Sequence, residues 1–312
     1  MHSKFSKILT LIYICFVWGT TWVAIKYTLE GIPPFLGAMA RFAIALICLG
    51  GYMMIKKIPL KPPKGSFKYL FITAILLYLI DYGLIYWGEQ YLYAGATAIF
   101  FATFPLFTGV VSNFLFKHEE FQWGKYAGLI LGFGGIIIIF YDQLLLTNFS
   151  GLVVWASLGI IVSAMAAAVS LVMVKKYLSH VETVSLTFHQ MIWGVLSLGV
   201  IGVLRGEAAY LEWNIRAIAA VVYLGTFCTA IAFVLYYTLL KKMSAITLSS
   251  IIYVTPLVAI VAGWLLLDEI ITLRIIVGTI IIFCGIAISQ IQDRRMVIKQ
   301  KILKEETSSE IA

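Results

Sequence analysis

Long runs of apolar residues, separated by short charged and turn-forming segments, dominate the sequence. A helix needs about 20 apolar residues to cross the hydrocarbon core of a bilayer, and only helices or closed barrels satisfy every backbone polar group in lipid. Runs of this length exclude barrel strands, so the pattern predicts an all-α, polytopic membrane protein. Its ten predicted transmembrane helices cover residues 8–28, 35–55, 69–88, 95–116, 124–141, 151–174, 184–204, 215–240, 246–267 and 273–291.

Composition supports this prediction. Hydrophobic residues make up 62% of the 312 residues and charged residues 12%, whereas a soluble domain averages roughly 45–50% and about 25%. The lipid bilayer is therefore the expected environment of the outer surface. The net charge of +8 does not indicate nucleic acid as a partner, because the basic residues fall mainly between the apolar runs, as in cytoplasmic loops.

The basic residues also predict an orientation. If the N-terminus is cytoplasmic, 18 of the 23 lysines and arginines lie in segments on the inner side. Such a bias is typical of cytoplasmic loops and requires an even number of crossings. Both termini are therefore expected in the cytoplasm, and the polar residues 293–312 are predicted to form a cytoplasmic tail.

The two halves of the chain are similar to each other. A shift of 150 or 151 residues aligns matched positions in the same order along both halves: Lys26-Tyr27 with Lys176-Tyr177, Ala94 with Ala245, Pro105-Leu106 with Pro256-Leu257, Glu119 with Glu269, Gly128 with Gly278, and Gly135 with Gly285. Five helices in each half place the second half upside down relative to the first, as in many secondary transporters. We expect one five-helix repeat over 7–145 and an inverted one over 146–292.

Several motifs resemble those of a known family. They are Trp18-Gly19-Thr20-Thr21-Trp22-Val23-Ala24-Ile25-Lys26, Pro33-Pro34 followed by Arg41-Phe42, Tyr93-Ala94-Gly95-Ala96-Thr97-Ala98 leading to Pro105-Leu106 and Glu119, and Ser244-Ala245 leading to Pro256-Leu257 and Asp268-Glu269. The chain resembles EamA-type transporters of the drug/metabolite transporter superfamily over nearly its whole length. The resemblance implies a five-plus-five helix transporter in the cytoplasmic (inner) membrane that exports amino acids or related metabolites. Asp81 departs from the family pattern.

Charged residues inside the predicted helices are candidates for function, because a charge at the bilayer centre costs at least about 2.5 kcal/mol on insertion scales. Asp81 lies midway along the third helix and shares a face with Tyr82 and Tyr86. That face is predicted to line a polar cavity, where Asp81 contacts the solute or a coupling proton. The alternative is that Asp81 pairs with Lys26 or Arg41, and each of these two cations either binds a solute carboxylate or has a structural role.

Other candidates lie on four further helices. Trp18, Thr21 and Trp22 share a face of the first helix, which either lines the cavity or packs between helices. Pro105 and Pro256 occupy matched positions, where a proline kinks a helix and exposes backbone carbonyls, and matched interruptions indicate a midplane site. The remaining predicted cavity residues are Thr97, Phe101, Gln190 and Tyr253.

These features predict a secondary transporter that moves a small polar solute by alternating access. No Walker-type glycine loop, metal motif or cofactor motif occurs in the sequence, so no cofactor is expected. The alternatives are an integral membrane enzyme, which needs clustered acids or a histidine–acid pair, a non-transporting sensor, and a channel. The small-residue seam of Gly124, Gly128, Gly132 and Gly135 either packs within the chain or forms a homodimer interface.

Overall fold

The computed structural model describes residues 4–62, 64–92, 94–115, 123–139, 151–255 and 272–285, together with residues 141, 258, 287, 288 and 291. Pro256 and the predicted tail 293–312 lie outside the described residues. Every regular element in the described part is a helix. Seven helices in this part are long and apolar enough to cross a membrane.

Each long apolar run contains one or more helical segments. In the first half, the elements are α1 (Lys4–Gly19), α2 (Thr21–Leu29), α3 (Pro34–Lys56), α4 (Phe67–Ala74), π1 (Ile75–Asp81), α5 (Tyr82–Gly88), α6 (Ala94–Phe101), α7 (Phe104–Leu115) and α8 (Trp123–Ile139). In the second half, they are α9 (Leu152–Tyr177), α10 (Thr183–Leu204), a short 3₁₀ helix (Glu207–Tyr210), α11 (Ile215–Gly225), π2 (Thr226–Ile231), α12 (Ala232–Leu240), α13 (Ala245–Ser249), a 3₁₀ turn (Ser250–Tyr253) and α14 (Leu273–Gly285).

Local sequence explains where several helices begin and end. Pro34 begins α3, where its missing N–H is harmless. Asn214 precedes α11 and its side chain accepts a hydrogen bond from the Ala217 N–H at 2.7 Å. The predicted helix 95–116 is broken at residues 102–103, and Pro105 is the second residue of the new helix α7.

Two helices change from α to π geometry in their middle. The segments π1 and π2 each join two α-helical parts of a continuous apolar helix, Phe67–Gly88 and Ile215–Leu240. Their first residues, Ile75 and Thr226, are 151 positions apart. π-Helix is rare and is often found at functional sites, so the two segments make this part of the bundle a candidate for a functional site.

The bundle has two ends, which we name by one residue each. At the Glu207 end, the Glu207 carboxylate accepts a hydrogen bond from the Leu36 N–H at 2.9 Å, and the Glu212 N–H donates to the Gly31 carbonyl at 2.7 Å. At the Lys241 end, the Lys241 ammonium donates to the Val181 carbonyl at 2.5 Å. Helix α3 connects the two ends, and its 23 residues span about 35 Å at the usual rise.

The outer surface of the bundle is apolar. Side chains such as Phe16, Ile47 and Trp155 are exposed on the long helices. Inside, α3 packs along α10, and α9 packs along α7, α5 and π1. An apolar exterior around a packed interior is the expected arrangement when lipid is the solvent.

The helices α8 and α14 cross closely through glycines. A Cβ atom added to Gly135 would lie 2.7 Å from the Gly278 carbonyl oxygen, and one added to Gly278 would lie 2.6 Å from the Gly135 carbonyl oxygen. A Cβ on Gly285 would likewise meet the Gly128 carbonyl oxygen at 2.5 Å. This part of the small-residue seam therefore packs within the chain.

Candidate functional site

A cavity lies in the interior of the bundle, lined in part by Leu77 and Asp81 of π1 and by Phe233, which follows π2. The volume that the centres of water molecules can occupy in it is about 80 Å³. This is enough for several waters or a small solute. Its described lining residues come from both halves of the chain: Trp18, Thr21, Trp22, Ile25, Leu77, Asp81, Tyr82, Ile85, Phe101, Phe104, Ala167, Leu171, Phe233, Tyr236, Tyr237, Ile252 and Thr255.

The cavity wall is mostly aromatic. The Trp18 and Tyr236 rings lie with centroids 4.8 Å apart, and the Trp22 and Phe101 rings at 5.6 Å. The Trp18 indole N–H donates to the Cys228 carbonyl at 3.1 Å, beside π2. This bond fixes the ring at the wall, and the ring pairs adopt the tilted or edge-on arrangements that aromatic side chains prefer.

Asp81 is the one carboxyl group among the described lining residues. It is the last residue of π1, is 2% exposed, and its Oδ1 atom has no hydrogen-bond partner in the described part. Ser163 on α9 lies beside it. Burying a carboxyl oxygen without a hydrogen-bond partner costs free energy. The position of Asp81 at the cavity wall therefore makes it a candidate to bind a group that enters the cavity.

Arg41 lies behind the cavity wall rather than in it. The residue is fully buried, and its Nε donates to the Thr229 hydroxyl on π2 at 2.6 Å. Its guanidinium carbon lies 4.8 Å from the centroid of the Tyr82 ring, which separates it from the cavity. Arg41 therefore positions Tyr82 by a cation–π contact and links α3 to π2.

Lys26 caps a helix at the Glu207 end. Its ammonium donates to the carbonyl of Glu89 and, at 2.6 Å, to that of Leu92, just after α5. Lys175 does the same at the Lys241 end, donating to the Leu240 carbonyl at 2.5 Å and the Met243 carbonyl at 2.9 Å after α12. Both lysines satisfy the free carbonyls at a helix C-terminus.

Gln190 also lies behind the wall, within a hydrogen-bond network. Its amide donates to the Thr73 hydroxyl at 2.7 Å and its carbonyl accepts from the Tyr237 hydroxyl at 3.1 Å. Ser170 donates to the Thr73 carbonyl at 2.9 Å. The network connects α4, α9 and α10 to Tyr237, which lines the cavity.

Four further predicted site residues lie outside the described lining of the cavity. Tyr86 and Thr97 are fully buried, and Pro105 is buried at the start of α7. Tyr253 donates its hydroxyl to the Leu129 carbonyl at 3.0 Å, so it joins the 3₁₀ turn to α8. Pro256 lies outside the described residues.

The structure thus brings together at the cavity six of the residues predicted from the sequence: Trp18, Thr21, Trp22, Asp81, Tyr82 and Phe101. Several lining residues were not predicted, notably Phe233, Tyr236, Tyr237 and Thr255. The similarity between the two halves could have identified Phe233, Tyr236 and Thr255. A shift of 151 residues aligns them with Tyr82, Ile85 and Phe104, respectively.

Comparisons with known proteins agree with a transporter. The EamA-like transporter family matches residues 5–141 and again 154–290. An uncharacterized transporter of Bacillus subtilis, YoaV, is 29% identical over 278 residues, which cover 89% of this chain and 94% of the relative. An uncharacterized transporter of Archaeoglobus fulgidus is 28% identical over 277 residues, which cover 87% and 94%.

A solved structure shows the same fold. This protein, known from its crystal structure, superposes with a TM-score of 0.77 at 17% identity, over 93% of this chain and 99% of its own. The seven membrane-length helices, the two family matches and the named relatives agree. The chain belongs to the EamA-like transporter family and is a multi-pass membrane transporter.

Proposed function

We propose that the protein is a secondary transporter that exports small polar metabolites such as amino acids by alternating access around the cavity. In this proposal, ten transmembrane helices form two inverted repeats, residues 7–145 and 146–292, in the cytoplasmic membrane with both termini in the cytoplasm. The observation that carries it is the composition of the cavity wall, to which the two halves contribute residues at equivalent positions.

Most of the wall consists of such equivalent pairs. Four pairs are 151 positions apart: Tyr82 with Phe233, Ile85 with Tyr236, Phe101 with Ile252, and Phe104 with Thr255. Two pairs, Trp18 with Ala167 and Trp22 with Leu171, are 149 apart, one less than the shift that aligns Lys26 with Lys176 in the sequence. The same 149 relates Lys26 to Lys175, which make matching hydrogen bonds. Secondary transporters with inverted repeats bind solute at the repeat interface, where rocking of one repeat against the other exposes the site to either side. A wall shared in this way supports that mechanism.

Two further pairs of features support inversion. Lys26 and Lys175 cap helices in the same manner but at opposite ends of the bundle. The glycine contacts between α8 and α14 are reciprocal, since a shift of 150 converts Gly128 into Gly278 and Gly135 into Gly285. A twofold axis would convert the Gly128–Gly285 contact into the Gly278–Gly135 contact in this way.

Counterflow in proteoliposomes tests the proposal. Vesicles are loaded with one unlabelled amino acid, amine or related polar metabolite, and uptake of the same compound in labelled form is measured at two proton gradients. We expect an internal solute to accelerate uptake of the same labelled solute, because an alternating-access carrier returns faster when loaded. Failure to observe counterflow with any amino acid or related polar metabolite would contradict the proposed function.

A matched pair of variants tests whether transport depends on the cavity. Phe233 lines the cavity and is 4% exposed, whereas Phe227 lies on π2 with its ring 44% exposed on the outer surface. Phe233→Ala should reduce counterflow at least about tenfold, and Phe227→Ala should leave it close to that of the unchanged protein. Equal effects of the two substitutions would show that transport does not depend on the cavity.

A further inference from the structure

The cavity presents one kind of charge to a solute. Its only ionisable carboxyl among the described lining residues is Asp81, and no lysine, arginine or histidine is among them. We propose that the solute carries an ammonium group that binds at Asp81, and that it lacks a carboxylate beside that group. The inference rests on the proposed function but narrows its class of small polar metabolites, replacing amino acids with amines or quaternary ammonium compounds as the solutes.

Asp81 has an open position for a cation. Its Oδ1 atom has no hydrogen-bond partner, and it forms no ion pair with a described residue. The groups that face it from other elements are Arg41 on α3, Ser163 on α9 and Tyr237 on α12, with Tyr82 next to it in the chain. Arg41 is held away from the cavity by Thr229 and the Tyr82 ring.

The aromatic wall suits the same group. The rings of Trp18, Trp22, Phe101 and Tyr236 line the same cavity as Asp81. Ring faces attract an ammonium ion, tryptophan most strongly. One face of Tyr82 already contacts the Arg41 guanidinium at 4.8 Å.

Among the described lining residues, none has a positive charge that could pair with a carboxylate on the solute. Lys26 donates to backbone carbonyls at the Glu207 end. Arg41 lies behind Tyr82, although its two terminal nitrogens have no hydrogen-bond partner in the described part. A carboxylate in the cavity would therefore lose water without gaining a charged donor, and would face Asp81 and the negative ring faces. The cavity should discriminate against a zwitterion relative to the corresponding cation.

Three compounds of similar size separate these possibilities. Choline is a permanent cation, 3,3-dimethylbutan-1-ol is its neutral carbon analogue, and glycine betaine has the same trimethylammonium group with a carboxylate. Binding to the purified full-length protein is measured by titration calorimetry. We expect choline to bind at least about tenfold more tightly than each of the other two.

The Asp81→Asn variant tests the origin of the preference. Its choline affinity should fall to about that of the neutral analogue, while the neutral analogue binds as before. Glu89→Gln is the matched control, because Glu89 is a buried carboxyl directly after the same continuous helix and does not line the cavity. It should keep the preference for choline.

Several outcomes would overturn the inference. They are equal binding of choline and its neutral analogue, tighter binding of glycine betaine, no binding of choline, or retention of the choline preference in Asp81→Asn. The comparison of the three compounds uses the unchanged protein, so it stands even if Asp81→Asn fails to fold. Counterflow of an amino acid with any of these outcomes would leave the proposed function intact and remove only the ammonium specificity.

Discussion

At the scale of single residues, the wall of the cavity depends on hydrogen bonds made behind it. Tyr237 and Tyr236 are neighbours that both line the cavity, but only the Tyr237 hydroxyl has a partner, the Gln190 carbonyl at 3.1 Å. The pair therefore offers an internal comparison. It separates the effect of a hydroxyl that is hydrogen-bonded from that of one that is not.

Removing the two hydroxyl groups should have different effects on stability. Tyr237→Phe leaves the Gln190 carbonyl without its donor and should lower the free energy of unfolding by about 1 kcal/mol. Tyr236→Phe removes a buried hydroxyl without a partner and should be neutral or stabilising. Thermal unfolding in detergent measures both, and a larger loss in Tyr236→Phe would refute the described network.

Glu207 predicts a pH dependence of stability. Burial raises the pKa of this carboxyl above its ordinary 4.5, although the backbone N–H groups of Leu36 and Phe35 and the Arg205 side chain act in the opposite direction. An acid with a raised pKa favours folding below its unfolded-state value, and this contribution is lost as the pH rises through the folded-state value.

The Glu207→Gln variant removes this titration while keeping an oxygen that can accept from the Leu36 N–H. The melting temperature of the variant relative to the unchanged protein should therefore rise between about pH 4 and pH 7. Glu212→Gln, an exposed residue of the same loop, serves as the control. A difference that is constant with pH would show that Glu207 has an unperturbed pKa.

At the scale of helices, the sequence predicted most elements well because each depends on one long apolar run. The spans 35–55, 184–204 and 215–240 differ from the observed helices by at most one residue at either end. The interruption beside Pro105 was predicted and lies at residues 102–103. The π-helical segments were not predicted, since they depend on packing between helices rather than on local composition.

The site was predicted less completely than the helices. Asp81 stood out because a charge in an apolar run is unusual, whereas Phe233 and Tyr236 look like ordinary core residues at helical spacing. Lys26 and Arg41 were correctly seen as unusual, but their partners, two carbonyls and a threonine hydroxyl with a ring, lie far away in sequence. Sequence spacing alone could not separate a cavity residue from one directly behind it.

The crossing of α8 and α14 gives a prediction at this scale. Gly135→Ala would place a Cβ 2.7 Å from the Gly278 carbonyl oxygen, so the two helices must separate, at a cost of about 1–3 kcal/mol. Gly134→Ala, one residue earlier, meets nothing within 4 Å and should be neutral or slightly stabilising. Melting temperatures of the two variants test this, and equal values would contradict close helix contact at Gly135.

At the scale of the whole molecule, the two ends differ in charge. Segments at the Lys241 end contain Lys57, Lys61 and Lys242, whereas those at the Glu207 end contain Glu30 and Glu212. Helix α3 runs from one end to the other, so the ends lie on opposite sides of the membrane. Basic loops are retained in the cytoplasm, and the Lys241 end should therefore face inward.

Labelling of single cysteines from outside the cell tests this orientation. The exposed cysteines Cys48 and Cys284 are first replaced by serine. Lys61→Cys and Lys242→Cys then report the Lys241 end from each half of the chain, and Glu30→Cys and Glu212→Cys report the Glu207 end. A membrane-impermeant maleimide should label only the Glu30→Cys and Glu212→Cys variants, and permeabilised cells should label all four. Each end is sampled by one variant from each half of the chain. Labelling of both variants of one half and neither of the other would contradict the inverted arrangement. Labelling of only Lys61→Cys and Lys242→Cys would contradict the cytoplasmic position of the lysines.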